Sequence, residues 1–445
     1  MTLLEQLGQH VSDTLAAPTR EDVQRQVKAH LLDCLAMVVA ARHHPLTRRA
    51  AGVDLPGGER ARLAVTAGAA CDALGLDDFD EVTRTHPGAV VVAALLGATA
   101  AAAAPVHGRT FLRAVQVGYE LTCRVGELLD AGRLHDGGAH PTAVCGVIGS
   151  AAAVSVLVDA DAAHAMGLAA SLASGLYELD GEGAVKGLQT GWAAQSGIAA
   201  AALARAGYAP APTVLDGPKG LLRVLGVEPP TPAAVAEALD GSPRIVRVSF
   251  KPYSHFTDLH PATAALLDLL RDHDVAADDI AAVDVHLVTG TGRRLNAVYP
   301  PSAPRLARRC PRFALAAVAC RADRGVVADP LLGVFDRSVL HDEDILALGA
   351  RVTWADDLPA DGASPAAVVT LRLTDGTTAT LAADGYPGDG RRAATRWSWD
   401  QVAERAGLLT PTADHELVEM VAQIDEAADV RPLARTVADR LEVDV

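Results

Sequence analysis

Residues 85–106 read THPGAVVVAALLGATAAAAAPV, and the nineteen from Gly88 to Val106 carry no charge. A stretch of that length has to be weighed as a membrane span. It is built from Ala, Gly and Val, holds Thr99 and Pro105, and lacks the Leu/Ile/Phe density and aromatic flanks of a spanning helix. Small side chains instead suit a helix packed closely among other helices. The expectation is a large helical core with this segment buried in it, and no membrane partner.

The surrounding sequence points the same way. From the start to about Asp240, apolar residues recur at three- and four-residue spacing. Val27 to Ala41 (Leu31, Leu32, Leu35, Val38, Val39) stops before Pro45, and Phe111 to Leu129 and Ala193 to Ala206 follow. The character changes near Pro243. Arg244 to Phe250 and Ile280 to Val288 alternate as strands, and Val352 to Ala355 is short and strand-like. Ala367 to Leu373 and Thr377 to Ala382 flank Asp375-Gly376, a strong hairpin signal. Helical patterns at Pro261–Arg271, Phe313–Ala322 and Asp342–Leu348 interrupt these strands. After YPGDGRR the helical pattern returns at Trp399–Ala406, Ala413–Ala427 and Arg431–Leu441. The fold class is mainly α: residues 1–242 and 391–445 form a large all-helical domain, and 243–390 a smaller inserted α+β domain.

The 445 residues carry 39 basic and 55 acidic side chains, a formal charge of -16. A chain this acidic repels phosphate backbones, which argues against a nucleic-acid partner. It repels small anions too, so an anion site needs local positive charge. The six cysteines, 34, 71, 123, 145, 310 and 320, form no CxxC pair and read as reduced thiols of a cytoplasmic protein. The opening MTLLEQLGQHVSDTL carries Glu5 and no basic leader, so it does not read as a signal peptide.

Only four of the 39 basic residues are Lys: 28, 186, 219 and 251. In a chain so biased towards Arg, an ammonium group suggests a need for a compact charge or an adjustable pKa. Lys28 reads as a solvated residue of an amphipathic helix, and Lys219 sits in the turn LDGPKG. Lys186 in GAVKGLQTGWAA and Lys251 in SFKPYSHFTDLH are the stronger candidates. Histidines add a second constellation. His86-Pro87 opens the charge-free helix, His140-Pro141 opens another apolar helix, and His255 and His260 follow Lys251. Helix starts favour anions, although a lone histidine there more often caps or packs. The acidic run Asp77-Asp78-Phe79-Asp80-Glu81 lacks the pattern of a calcium loop, and its plain reading is a solvated loop. No HExxH, Cys pair, third glycine after Gly290-Thr291-Gly292, or GxSxG elbow is present, so neither a metal nor a cofactor is expected.

With these residues in view, the chain resembles the MmgE/PrpD family, whose members include 2-methylcitrate dehydratase, cis-aconitate decarboxylase and iminodisuccinate epimerase. The carriers are LLDCLAMVVA, ALGLDD…THPGAVVVAALL, GRTFLRAVQVGYELTCRVG, GAHPTAVCGVIGSAAA, ASGLYELDGEGAVKGLQTGWAAQSGIAAAALARAGY and FKPYSHFTDLHPA, in that order. The resemblance implies a helical domain, an α+β lid, a homodimer, chemistry without metal, and an active site between the domains. It carries catalytic roles onto His86, His140, Lys186 and Lys251. Substrate contacts fall to His255, His260, Asp77, Asp78, Phe79 and Phe313.

The departures bear on chemistry. Gly75 stands where members carry an Asp, Phe79 where a polar residue commonly follows the acidic pair, and Phe313 where a Tyr is frequent. With Phe256 also in the lysine motif, and six Phe in all, the expected pocket is less polar than one built for a tricarboxylate. The family's reactions share one difficulty, an enolate-like centre beside a carboxylate. Two ammonium groups on that carboxylate would stabilise the developing charge, and an imidazole would move the proton. His140 is the first choice for base and His86 for acid. The leading expectation is a hydro-lyase acting on a small carboxylate substrate with an apolar extension. Decarboxylation or isomerisation of an unsaturated acid is the alternative, and a binding protein that has lost catalysis a third.

Overall fold

The computed structural model describes residues 1–179, 186–323, 339–410 and 414–443. The glycine-rich GEGAV before Lys186 and the first residue of the Ala413–Ala427 helical pattern lie outside them. The chain divides into two compact units, Met1–Phe250 with Ser398–Val445, and Lys251–Trp397.

The first unit is helical. Pro87–Ala100 and Pro141–Val158 are its most apolar helices, each opened by a His-Pro step. Proline suits the first helical position, where its missing N–H would have no intrahelical partner. Pro141–Val158 is long and apolar enough to cross a membrane, but 83% of it is buried inside the protein, as in a core helix. The charge-free stretch is helical only to Ala100. Ala101 to Val106 leave the helix, and Ala101, Ala103 and Ala104 are exposed. Around these two helices pack Glu21–Ala40, Gly58–Ala73, Gly108–Leu128 and Lys186–Arg205. Close approach depends on absent side chains: a Cβ on Gly68 would lie 2.7 Å from the backbone of Gly191. Trp399–Leu409 begins with a Ser398–Gln401 capping box and returns to pack on Glu21–Ala40.

Two expectations for this unit are corrected. Arg244–Phe250 is not a strand. Glu120 accepts from the N–H groups of Arg244 and Ile245, which bends Ile245–Arg247 into a 3-10 turn, and only Ser249 pairs, with Phe79. Those contacts hold the segment in the first unit. Lys28 is half-buried and paired rather than freely solvated: its ammonium is held 2.5 Å from Asp425 and 2.7 Å from the carbonyl of Ala422.

The second unit is α+β. Four strands, β1 (Ile280–Val288), β2 (Val352–Leu358), β3 (Ala367–Leu373) and β4 (Thr378–Ala383), lie in the order β2-β1-β3-β4. β1 runs parallel to β2 and antiparallel to β3, and β3–β4 is the hairpin turned at Asp375-Gly376. Val283, Val285 and Leu287 of β1 face a core shared with the His260–Asp272 and Pro311–Asp323 helices. Asp342 caps Glu343–Gly349 by accepting from the N–H groups of Asp344 and Ile345.

Candidate functional site

Within the first unit, the two His-Pro helix starts lie side by side, because the N–H of His86 donates to the hydroxyl of Thr142, 3.1 Å away. The His86 ring is held from one side. Its Nδ1 lies 2.7 Å from the carbonyl oxygen of Asp78 and 2.9 Å from Oδ2 of Asp77. A carbonyl can only accept, so Nδ1 carries the proton, and the Asp77 carboxylate beside it stabilises positive charge on the ring. Phe79 packs against the ring at 5.0 Å between centroids.

The acidic run is not a solvated loop. Asp77, Asp78 and Asp80 are all buried. Gly75 turns the chain into it at φ +69°, a left-handed conformation in which glycine carries no Cβ penalty. Asp80 is paired with the guanidinium of Arg247 through contacts of 3.1 and 2.8 Å. Asp78 accepts from the Tyr119 hydroxyl at 2.6 Å and from the Gly88 N–H at 3.1 Å. The structure thus gives the Asp78 carboxylate a structural task, fixing the start of the Pro87–Ala100 helix and the carbonyl that orients His86. A Cβ on Gly88 would fall 2.2 Å from the sulfur of Cys34 and 2.4 Å from the Tyr119 oxygen, which is why glycine follows His86-Pro87.

His140 is placed differently. Its N–H donates to the carbonyl of Gly175 at 3.0 Å, and the Gln189 side chain clamps both backbone groups of Leu176. The ring is 1% exposed and lies edge-on to Tyr177. Neither ring nitrogen has a hydrogen-bond partner among the described residues. Burial pushes its pKa well below the usual histidine value, with the positive charge of Lys186 and His86 adding to the shift and Asp77 opposing it. The imidazole is neutral near pH 7.

Lys186 opens its helix ion-paired to Asp72. Burial alone would lower its pKa, but Asp72 and Asp77 outweigh burial and raise it, so it stays an ammonium. His86, His140, Lys186 and Asp77 are therefore one electrostatically linked group in the first unit.

In the second unit, Lys251, His255 and His260 form a group of their own. His255 Nε2 lies 2.9 Å from the Thr263 hydroxyl, and His260 Nε2 lies 3.2 Å from the carbonyl of His255. Tyr253 stacks on His255, and Tyr386 meets His260 edge-on at 4.9 Å. Burial pushes His255 down to about 4, and burial with the charges of His255 and Lys251 pushes His260 well down. Phe313 is fully buried in the apolar core of the second unit.

Four buried groups behind the first cluster were missed by the sequence reading: His30, Asp33, Tyr119 and Arg405. His30 stacks on Phe250 at 4.2 Å with Nδ1 3.4 Å from Asp78. Arg405 donates to Asp33 at 2.8 Å and to the carbonyl of Leu76 at 3.2 Å. A signal existed, since His30 and Asp33 interrupt an otherwise apolar helical run at a spacing that puts both on one face. Among the described residues no group of three or more His, Cys, Asp or Glu is placed to hold a metal ion. The six cysteines are free thiols and buried.

Two adjacent His-Pro helix starts and a lysine ion-paired to Asp72 thus sit together on the helical scaffold. The sequence model of the MmgE/PrpD N-terminal domain matches residues 5–232, a span that contains Asp77, His86, His140 and Lys186. The chain belongs to the MmgE/PrpD family. It is similar to a cis-aconitate decarboxylase-like protein, oryM, of Aspergillus oryzae, 32% identical over 218 residues, covering 44% of this chain and 45% of that protein. It is also similar to a cis-aconitate decarboxylase of Aspergillus terreus, 30% identical over 159 residues, covering 34% of this chain and 32% of the relative. The match spans less than half the length of either relative.

Proposed function

We propose that the protein is a lyase that removes water from a small hydroxylated carboxylic acid. The observation that carries this reading is the state of His140, a buried, neutral imidazole with no hydrogen-bond partner among the described residues, beside a lysine held charged. Lys186 pairs with a substrate carboxylate and stabilises the negative charge that spreads onto it. His140 takes the proton from the adjacent carbon, and the C–H electrons form the double bond. The hydroxyl on the next carbon leaves with a proton from Nε2 of His86, whose imidazolium Asp77 stabilises from the Nδ1 side. Return of the His140 proton to solvent and reprotonation of His86 complete the cycle. Lys251 is assigned to a substrate carboxylate by the family motif, and Phe79 beside His86 favours a substrate with an apolar extension.

Decarboxylation is the second reading, favoured by the names of the two fungal relatives. There the bond to a carboxylate breaks, carbon dioxide leaves, and a histidine protonates the resulting allylic carbanion. The discriminating experiment incubates the protein with citrate, 2-methylcitrate and cis-aconitate in deuterated water and follows carbon-13 spectra. Loss of water without carbon dioxide supports the first reading, and released carbon dioxide replaces it with the second. No conversion and no deuterium incorporation across the panel count against both.

A further inference from the structure

Arg405 lies far along the chain from the other site residues, yet its guanidinium is buried to 3% exposure beside the acidic loop. It is carried on Trp399–Leu409, which packs on the helix that carries Asp33. One nitrogen donates to Asp33 at 2.8 Å and the other to the carbonyl of Leu76 at 3.2 Å. Leu76 immediately precedes Asp77, the carboxylate 2.9 Å from His86. The other end of the loop is fixed separately, by the reciprocal pairing of Phe79 with Ser249. We infer that Arg405, oriented by Asp33, is a positioning residue that sets the aim of Asp77 and the Asp78 carbonyl at His86. A guanidinium is suited to this because its planar fork serves two acceptors at a fixed angle. Leu76 is fully buried, so its carbonyl is out of reach of bulk solvent.

The inference rests on the proposed acid role of His86 for its kinetic consequence, but its structural consequence can be read without turnover. The test uses the full chain carrying Asp33→Leu with Arg405→Met, which removes both buried charges together and so avoids stranding one. The first readout is the ring Nδ1–H resonance of His86, identified by its absence in His86→Gln. In the wild-type protein it is expected downfield and slow to exchange, since Nδ1 lies 2.7 Å from the Asp78 carbonyl and 2.9 Å from Asp77. In the double variant it is expected to move upfield and exchange faster. The second readout, on any acid that the wild type converts, is a fall in kcat of about tenfold to a hundredfold at nearly constant KM, the scale of a misplaced catalytic group. If the double variant does not fold, Arg405→Lys keeps a charge against Asp33 while losing the fixed second donor, and the same two changes are expected. A folded variant with the resonance and kcat unchanged overturns the inference. A resonance that shifts in a protein converting none of the acids leaves the positioning role standing and counts against the proposed reaction alone.

Discussion

Gly88→Ala is the sharpest perturbation of the geometry behind His86. The added Cβ would sit 2.2 Å from Cys34 Sγ, 2.4 Å from Tyr119 Oη and 2.8 Å from Asp78 Oδ2, all in a region without exposed surface. None of these is the free end of a flexible chain, since the Tyr119 hydroxyl is bonded to Asp78 at 2.6 Å. Overpacking of this kind costs about 1–3 kcal/mol. Displacing Tyr119 also breaks a hydrogen bond to a charged acceptor, adding about 1.5–3 kcal/mol. Alanine's helix preference over glycine returns up to about 1 kcal/mol. The balance is a loss of about 1.5–5 kcal/mol. The assay is urea unfolding followed by far-ultraviolet circular dichroism, with Cys34→Ala/Gly88→Ala as the control. Removing the sulfur relieves the shortest contact but leaves Tyr119 in place, so the double variant should recover part of the loss. A Gly88→Ala protein as stable as wild type, or a Cys34→Ala background that recovers nothing, would refute the packing argument.

Other outcomes follow from the same groups. His140→Leu should be as stable as wild type or up to about 2 kcal/mol more stable, since a buried ring with no hydrogen-bond partner among the described residues is replaced by an apolar group. The same protein should be inactive, a combination that thermal unfolding and a turnover assay read together. Lys186→Met removes a positive charge that depresses His140, so the His140 pKa should rise, measurable by titrating its ring resonances in the variant and the wild type. Acid destabilisation has a fixed sign in the second unit. His255 is held at about 4 against 6.5 unfolded, so its contribution is complete above 6.5 and is lost as pH falls towards 4. That loss is about 3 kcal/mol from His255. Unfolding of His255→Gln should be less pH-sensitive across that window, and an identical pH dependence would contradict the assignment.

The sequence made some features of the fold and site legible for local reasons. Apolar spacing marked the helices, Asp375-Gly376 marked the hairpin, and the two His-Pro steps placed both imidazoles at helix starts. What stayed hidden depends on partners distant along the chain. The run at 77–80 reads as solvated because nothing nearby in sequence announces Tyr119, Arg247 or Arg405. Lys28 reads as exposed because Asp425 lies at the other end of the chain. Arg244–Phe250 alternates like a strand, but its first two N–H groups donate to the Glu120 carboxylate instead of to a neighbouring strand.

The most direct test of the proposed proton transfer is solvent deuterium incorporation, followed by proton NMR, into a panel of small di- and tricarboxylic acids incubated with the wild type, His140→Gln and Lys186→Met. The expected result is incorporation or elimination at the carbon beside a carboxylate in the wild type, abolished in His140→Gln and reduced with a raised KM in Lys186→Met. Undiminished exchange in both folded variants would contradict it.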